Sequence, residues 1–194
     1  MDLNEMTNQF KTLWQTVQRP GVDKLLAWLE NHTDFYVAPA STRHHLARRG
    51  GLLEHSLNVY HCLRANAERL CPNTFRADSL VICGLGHDLC KVNYYVEDVR
   101  NVKRDGVWVQ EPCYVVKDQM PMGHGEKSVF ILQRFITLLP GEALAIRWHM
   151  AGWTDGAGNY ATRAAMSEAA RLTPLVPLLW ISDIEATQIK ERDA

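Results

Sequence analysis

"ADSLVICGLGHDLCK", residues 77–91, is an apolar stretch that ends in an adjacent imidazole and carboxylate. Its apolar residues and His87 recur at the spacing of one helix face, which predicts a buried helix over 77–90. Burial of an imidazole beside a carboxylate is costly unless other groups pair with both. The partner of His87 and Asp88 is therefore the first question that the sequence raises.

The segments on either side show the same helical periodicity. Helices are predicted over 6–18, 21–32, 52–70, 125–139, 141–150, 161–171 and 174–190. Residues 93–120 differ, because two runs rich in Val, Tyr and Trp flank Asp105-Gly106, a typical hairpin turn. We therefore expect an all-α fold, a compact helical bundle with one β-hairpin insertion at about 93–120.

Length and composition indicate an ordinary globular protein. The chain has 194 residues, of which 46% are hydrophobic and 22% are charged, and this favours one domain over 1–194. N-terminal helices and a loop would occupy 1–43, and the core would occupy 44–190. The net charge of −1 argues against binding to long nucleic acid. With no signal-like start and no membrane-spanning apolar stretch, we expect a cytoplasmic protein with no membrane contact.

Several residues that can ligate a metal lie on or beside apolar helix faces. They are His55, His87, Asp88, His124, His149 and Asp183. Any one of them alone would fit a hydrogen-bonded core residue or a helix cap. Together they predict a shared cation, because a metal satisfies buried imidazoles and carboxylates at once. Imidazole and carboxylate ligands suit Fe, Mn, Co, Ni or Zn.

More ligands are present than one tetrahedral ion needs. If Asp88 bridges, the set can hold two divalent transition-metal ions about 3.5–4 Å apart, as in two-metal hydrolytic sites. The side chains of His87 and Asp88 would diverge by roughly 100° on a regular helix. We therefore expect them to approach one metal from its side while the carboxylate extends to a second.

In this order, the residues resemble the HD-domain superfamily of metal-dependent phosphohydrolases. The motifs that carry the resemblance are "GGLLEHS" (50–56), "GLGHDLCK" (84–91), "MGHGEKS" (122–128), "IRWHM" (146–150) and "ISDIEAT" (181–187). The order H…HD…H…H…D is that of the two-metal members. The sequences "HHLARRGGLLEHSL" and "HDLCK" are similar to the corresponding motifs in the HD domain of bacterial 3′–5′ exoribonucleases. The resemblance covers about residues 44–187.

The resemblance implies a dinuclear site inside a helical HD-domain bundle. Metal one would take His55, His87, Asp88 and Asp183, and metal two would take Asp88, His124 and His149. Lys91 matches the frequent Lys of the family that contacts phosphate or the nucleophile, so Asp88 and Lys91 are the predicted catalytic residues. Leu89-Cys90 departs from the Gly-containing pattern of the family, and we expect no effect on the ligands.

The function implied is hydrolysis of a nucleotide or other small phosphate ester by a hydroxide that two metals activate. Cationic residues near the ligands are candidates for binding the substrate, and these are His45, Arg48, Arg49, Lys91, Lys127 and Arg147. Glu54 and Glu126 are candidates for orienting the imidazoles. The chain has no room for the nucleic-acid-binding module of the exoribonucleases, so long RNA is not expected as a substrate.

Other interpretations stay open on the same residues. The HD-type diiron oxygenases have a similar ligand pattern, and a non-catalytic nucleotide-binding HD protein is a further alternative. The hairpin directly follows Lys91, so it would lie beside the metals. There it would serve as a cover for the substrate or as the interface of a homo-oligomer.

Overall fold

Helices make up most of the chain, in the order that the apolar periodicity predicts. The computed structural model describes residues 2–154 and 156–192. Its α-helices are α1 (Leu3–Gln15), α2 (Val22–His32), α3 (Gly51–Leu70), α4 (Ala77–Gly86), α5 (His124–Gln133), α6 (Pro140–Trp148), α7 (Tyr160–Leu172) and α8 (Leu175–Glu185). Short 3-10 turns follow α4 at Leu89–Lys91 and α6 at Ala151–Trp153, and a π-helical turn at Ala186–Lys190 continues α8. None of these described helices is both long and apolar enough to cross a bilayer.

Helices α3 and α4 pack against each other at the centre of the bundle. A single cluster of buried apolar side chains, extending from Met6 to Ala186, surrounds them. Gly84 of α4 lies so close to α3 that a Cβ there would come within 2.6 Å of the Tyr60 Cα. This close approach brings His87, one helical turn after Gly84, to the level of His55, which lies nearer the start of α3.

The predicted hairpin is confirmed. Strands β1 (Tyr95–Arg104) and β2 (Val107–Val116) pair antiparallel along their full length. Asp105 and Gly106 both have positive φ, 51° and 83°, as a two-residue turn between twisted strands requires. A helical bundle with one β-hairpin is thus confirmed, but the label all-α describes only the bundle, because the ten-residue strands form a sheet.

Five predicted helices end earlier than their periodicity indicates. Those predicted over 6–18, 125–139 and 141–150 end at Gln15, Gln133 and Trp148. The helix predicted over 77–90 stops at Gly86 and gives way to the 3-10 turn. The helix predicted over 174–190 stops at Glu185 and continues as the π-helical turn. At the ends of α4 and α8 the backbone departs from α geometry where ligand-type side chains occur, and apolar periodicity carries no signal for such a departure.

A buried ion pair connects the N-terminal helices to the rest of the bundle. Arg19, in the turn between α1 and α2, donates two hydrogen bonds of 2.6 Å to the carboxylate of Glu142 in α6. The same carboxylate accepts from the Ser79 hydroxyl at 2.6 Å and from the Leu139 backbone N–H at 2.8 Å. Glu142 is almost inaccessible. Its charge therefore depends entirely on these donors.

Replacing this carboxylate should be strongly destabilising. Glu142→Ala removes the acceptor of four hydrogen bonds and leaves the partly buried Arg19 guanidinium with only Asp78, 3.7 Å away, as an acid partner, so we expect the free energy of unfolding to fall by about 3–5 kcal/mol. Urea denaturation followed by circular dichroism measures the change. The matched control is Glu30→Ala, because Glu30 forms its ion pair with Lys11 with 56% of its side chain exposed; we expect a loss below about 1 kcal/mol there. Equal losses in the two variants would contradict the proposed anchoring role.

Candidate metal centre

The structure brings the six predicted ligands together at one place in the bundle. His55 comes from α3, His87 and Asp88 follow α4, His124 begins α5, His149 follows α6, and Asp183 lies in α8. Successive imidazole rings are in contact. Their centroids are 5.2 Å apart for His55 and His87, 5.0 Å apart for His87 and His149, and 5.2 Å apart for His149 and His124. We call this group, with its carboxylates, the HD cluster. Residues 128 positions apart in the sequence thus share one site.

A change of backbone direction allows His87 and Asp88 to point to the same centre. His87 still has helical φ and ψ, but Asp88 has φ −106° and ψ 19°, and a 3-10 turn follows. The His87 Nε2 therefore lies 3.6 Å from Asp88 Oδ2. The regular helix that the sequence predicts through this pair ends at Gly86, so Asp88 lies outside α geometry; the roles of the two side chains at the metals stay predictions.

A glycine contact positions His124 against His149. Gly125, in the first turn of α5, lies against the last turn of α6, where a Cβ would come within 2.2 Å of the Arg147 carbonyl oxygen. Only a residue without a side chain permits this approach. The N-terminal end of α5, which carries His124, therefore meets the C-terminal end of α6, which carries His149.

Two acids lie on opposite sides of one imidazole, Asp183 from α8 and Glu191 directly after the π-helical turn. Asp183 Oδ1 lies 3.4 Å from His55 Nε2, and Glu191 Oε2 lies 3.2 Å from His55 Nδ1. Glu191 is 2% exposed and also accepts a hydrogen bond of 2.9 Å from the Asn58 amide. The wider π turn returns the chain towards α3, so that the end of the described chain completes the HD cluster.

Hydrogen bonds at the Nδ1 atoms determine which ring nitrogens are free. The Nδ1 atoms of His87 and His149 lie 2.9 and 2.7 Å from the carbonyl oxygens of Gly84 and Ile146. A carbonyl oxygen only accepts, so each Nδ1 must carry the hydrogen. The Nε2 atoms of both neutral rings therefore present lone pairs to the HD cluster. Glu191 imposes the same tautomer on a neutral His55.

When His55 is neutral, the lone pairs face one another with no donor between them. The Nε2 atoms of His87 and His55 lie 3.2 Å apart, a contact that repels when both rings are neutral. His149 Nε2 is buried and has no hydrogen-bond partner among the described residues; the nearest acid oxygen, Asp88 Oδ1, is 3.5 Å away. Buried lone pairs without donors are costly. A cation shared by these nitrogens removes that cost.

Asp88 lies at the middle of the cluster and is fully charged. Its Oδ1 is 2.8 Å from His124 Nε2, and its Oδ2 is 2.8 Å from Lys91 Nζ and 3.4 Å from His55 Nε2. Burial disfavours the charge, but Lys91 and the imidazoles outweigh it and hold the pKa of Asp88 well below its usual range. The carboxylate thus faces both halves of the ligand set, as a bridging ligand must.

The electrostatics at His55 favour positive charge. Burial alone would lower the pKa of this imidazole, but hydrogen bonds to Asp88 and Glu191, together with the charge of Asp183, raise it to about 10. The pKa of His87 shifts the opposite way, well below the usual value, chiefly because the ring is buried. The cluster therefore has the chemistry of a cation site. Without another cation, a proton on His55 supplies part of the positive charge.

Two of the predicted substrate-binding residues line a surface groove whose lining includes no residue of the HD cluster. Arg48 and Arg49 belong to the loop between α2 and α3, which forms a groove of about 810 Å³ with the flank of the hairpin. His45, in the same loop, lies deeper, with its ring centroid 5.0 Å from that of His55. Tyr95 is the first residue of β1, and its hydroxyl donates to the Ala40 carbonyl at 3.4 Å. This bond attaches the base of the hairpin to the same loop.

Two further candidates, Lys127 and Arg147, each form an ion pair with an acid of the bundle. Lys127 donates to Asp118 at 2.6 Å and is buried beneath the Tyr94 ring. Arg147 pairs with Glu126 at 2.5 Å and stacks on Trp148. Their roles in substrate binding stay predictions, but the charge of each is already compensated within the bundle. Lys91, by contrast, is held inside the HD cluster by Asp88.

Two residues at the centre were missed by sequence reasoning. Glu191 is the carboxylate on His55, whereas the predicted candidates lie elsewhere: Glu54 pairs with Arg48 at 2.7 Å, and Glu126 with Arg147. Cys90 is the second, because its Sγ lies 3.4 Å from His124 Nε2. The position of Cys90 two residues after Asp88 was a usable signal. Glu191 follows an exposed, polar stretch, so the sequence around it contained no signal of its burial.

Comparison with known proteins adds no identification. No family model, curated protein or solved structure matches the chain. The HD resemblance therefore rests on the sequence motifs alone.

Removal of the Glu191 charge should weaken cation binding at the cluster. Glu191→Gln takes the carboxylate from His55 Nδ1 and lowers the basicity of the opposite nitrogen, so we expect Zn²⁺ affinity to fall about 10–100-fold. Isothermal titration calorimetry with Zn²⁺ and Mn²⁺ measures it. Glu54→Gln is the matched control and should bind as the wild type does. Unchanged affinity in Glu191→Gln would show that this acid does not support the cluster.

Proposed function

We propose that this chain is a metal-dependent phosphohydrolase of the HD type that acts on a nucleotide or another small phosphate ester. Two divalent cations would be held by the HD cluster, one by His55, His87, Asp88 and Asp183 and the other by Asp88, His124 and His149. When bound, such ions lower the pKa of a water molecule and neutralise phosphoryl charge.

One observation supports this proposal above the others. Imidazole Nε2 lone pairs and carboxylate oxygens converge on one buried point, and their Nδ1 atoms are occupied by backbone carbonyls or by Glu191. A structural polar core would pair every buried donor and acceptor, whereas His149 Nε2 has no partner among the described residues. Four groups of three ligand atoms, each within 4.8 Å of one another, overlap at His55, His87 and Asp88. This overlap suits two neighbouring ions more than one.

Lys91 is the residue that would contact the phosphoryl group beside the metals. Lys91 keeps its proton, because Asp88 raises the pKa of the ammonium above its usual value in spite of burial. It can therefore donate to a phosphoryl oxygen beside the cluster without changing charge. Asp88 restrains the ammonium, with 2.8 Å between Nζ and Oδ2. The side chain of Lys91 is 12% exposed, which leaves it within reach of a ligand.

The groove between the α2–α3 loop and the hairpin fits an anionic ligand. Arg43, Arg48, Arg49 and Arg100 line it, against Glu97 and Asp98. Arg48 and Arg100 pair with Glu54 and Glu111, whereas Arg43 and Arg49 form no ion pair within the described parts of the chain. Two exposed guanidinium groups next to the loop that carries His45 favour a phosphorylated ligand.

A panel of phosphate esters tests the proposal. We expect purified protein with Mn²⁺, Co²⁺ or Fe²⁺ to release phosphate or a nucleoside from at least one nucleotide or short oligonucleotide. His87→Ala and Asp88→Asn should each reduce turnover at least about 10²-fold, because each removes a ligand. Phe130→Ala, on the exposed face of α5, is the control and should keep full activity.

The same experiment distinguishes the alternative interpretations. Oxygen consumption with Fe²⁺ and a small organic substrate, without phosphate release, would replace the hydrolase by a diiron oxygenase. Tight nucleotide binding without turnover under any of the metals would favour a non-catalytic binding protein. Either result overturns the proposed activity while leaving the metal centre in place.

The two unpaired arginines should contribute to binding more than to turnover. For any nucleotide substrate found in the panel, we expect Arg43→Ser with Arg49→Ser to raise KM about tenfold with little change in kcat. Added salt should reduce the difference in KM between the variant and the wild type, since exposed charges are screened. Arg163→Ser, on α7 outside the groove, is the matched control. A fall in kcat at constant KM would move these arginines from substrate binding to another role.

A further inference from the structure

We propose that Cys90 is a metal ligand, and that its thiolate makes one half of the centre selective for Zn²⁺ or Co²⁺ over Mn²⁺ and Mg²⁺. The proposal rests on the metal centre proposed above and specifies one of its two positions, the one formed by Asp88, His124 and His149. The HD resemblance assigns no such role to this position, where its members usually carry Gly.

The distances around Cys90 fit an ion shared with Asp88 and His124, whose ligand atoms and the sulfur all lie within 4.8 Å of one another. Cys90 Sγ lies 3.4 Å from His124 Nε2 and 3.8 Å from Asp88 Oδ1. Asp88 Oδ1 in turn lies 2.8 Å from His124 Nε2 and 3.5 Å from His149 Nε2. In a tetrahedral zinc site with one sulfur, neighbouring ligand atoms are separated by about 3.3–3.6 Å. The observed separations bracket this range without any ion to draw the groups together.

The backbone holds the thiol in this place. Cys90 is 3% exposed, and its N–H donates to the Ser128 hydroxyl at 3.0 Å. That bond attaches the 3-10 turn after Asp88 to α5, the helix that begins with His124. Cys90 and His124 are thus positioned by the same contact between elements, and their relative placement is rigid.

A second observation points independently to an ion at this position. His149 Nε2 is buried, lacks a partner among the described residues, and faces Asp88 Oδ1 across 3.5 Å. A thiol that merely packed in the core would leave this nitrogen unsatisfied. A cation bound at Asp88, the carboxylate that also lies with Cys90 and His124, would give this nitrogen a partner.

The sulfur changes which metal the position prefers. Thiolate is a soft ligand that favours zinc and similar ions, whereas sites of oxygen and nitrogen alone discriminate less against manganese. Binding releases the thiol proton to the solvent, because the thiolate is the ligand form. Zinc and cobalt also accept a fifth ligand, so a phosphoryl oxygen can still approach this ion.

Cobalt spectroscopy tests the proposal with the full chain under reducing conditions. Titration with Co²⁺ alone should give visible d–d bands and, in addition, a near-ultraviolet band from sulfur-to-cobalt charge transfer. Cys90→Ser should abolish the charge-transfer band, keep the d–d bands, and weaken Zn²⁺ binding about tenfold or more relative to Mn²⁺. Cys62→Ala removes a thiol that is buried in α3 and should leave both bands unchanged.

Each outcome decides the proposal. Cobalt d–d bands without charge transfer in the wild type would overturn the role of Cys90 and leave the metal centre and the proposed function standing. Failure of the wild type to bind Co²⁺ would overturn both. The wild-type spectrum decides on its own if Cys90→Ser does not fold, and Cys90→Ala provides a second variant.

Discussion

The buried carboxylate of Asp88 is the group on which the arrangement of the centre depends. It accepts from His124 and Lys91 at 2.8 Å and lies within 3.6 Å of the Nε2 atoms of the remaining imidazoles. A charge in this position requires cations on several sides, because burial disfavours it. Helices α3, α4, α5 and α6 each bring at least one of those groups, so the packing of the bundle and the charge of this acid are coupled.

Departures from regular helix geometry occur where the ligands lie. His87 and Asp88 follow the end of α4, His124 begins α5, His149 follows α6, and a π turn leads to Glu191. Regular helices would point neighbouring side chains in different directions. The chain instead ends its helices at the centre, so that several side chains can converge there. The cost of the broken backbone pairing is reduced by the ring Nδ1 atoms, which donate to the carbonyls of Gly84 and Ile146.

Much of this fold could be predicted from the sequence, since apolar periodicity reports burial and Asp105-Gly106 reports a turn. The six ligand-type residues were found because polar groups on apolar faces stand out against that pattern. Glu191 could not be found in this way, since its burial results from the π turn, which no local pattern announces. Lys127 and Arg147 were expected near phosphate because of their charge, but only the fold determines that Asp118 and Glu126 neutralise them.

The centre and the groove differ in their charge balance. Asp88, Asp183 and Glu191 face one permanent cation, Lys91, so the HD cluster is anionic unless imidazoles take up protons, and the raised pKa of His55 reflects this deficit. Two divalent cations would reverse the sign and leave the cluster positive by about two charges. A phosphoryl dianion restores neutrality. The exposed Arg43 and Arg49 lie outside this balance, in the groove, where they add positive charge to the surface.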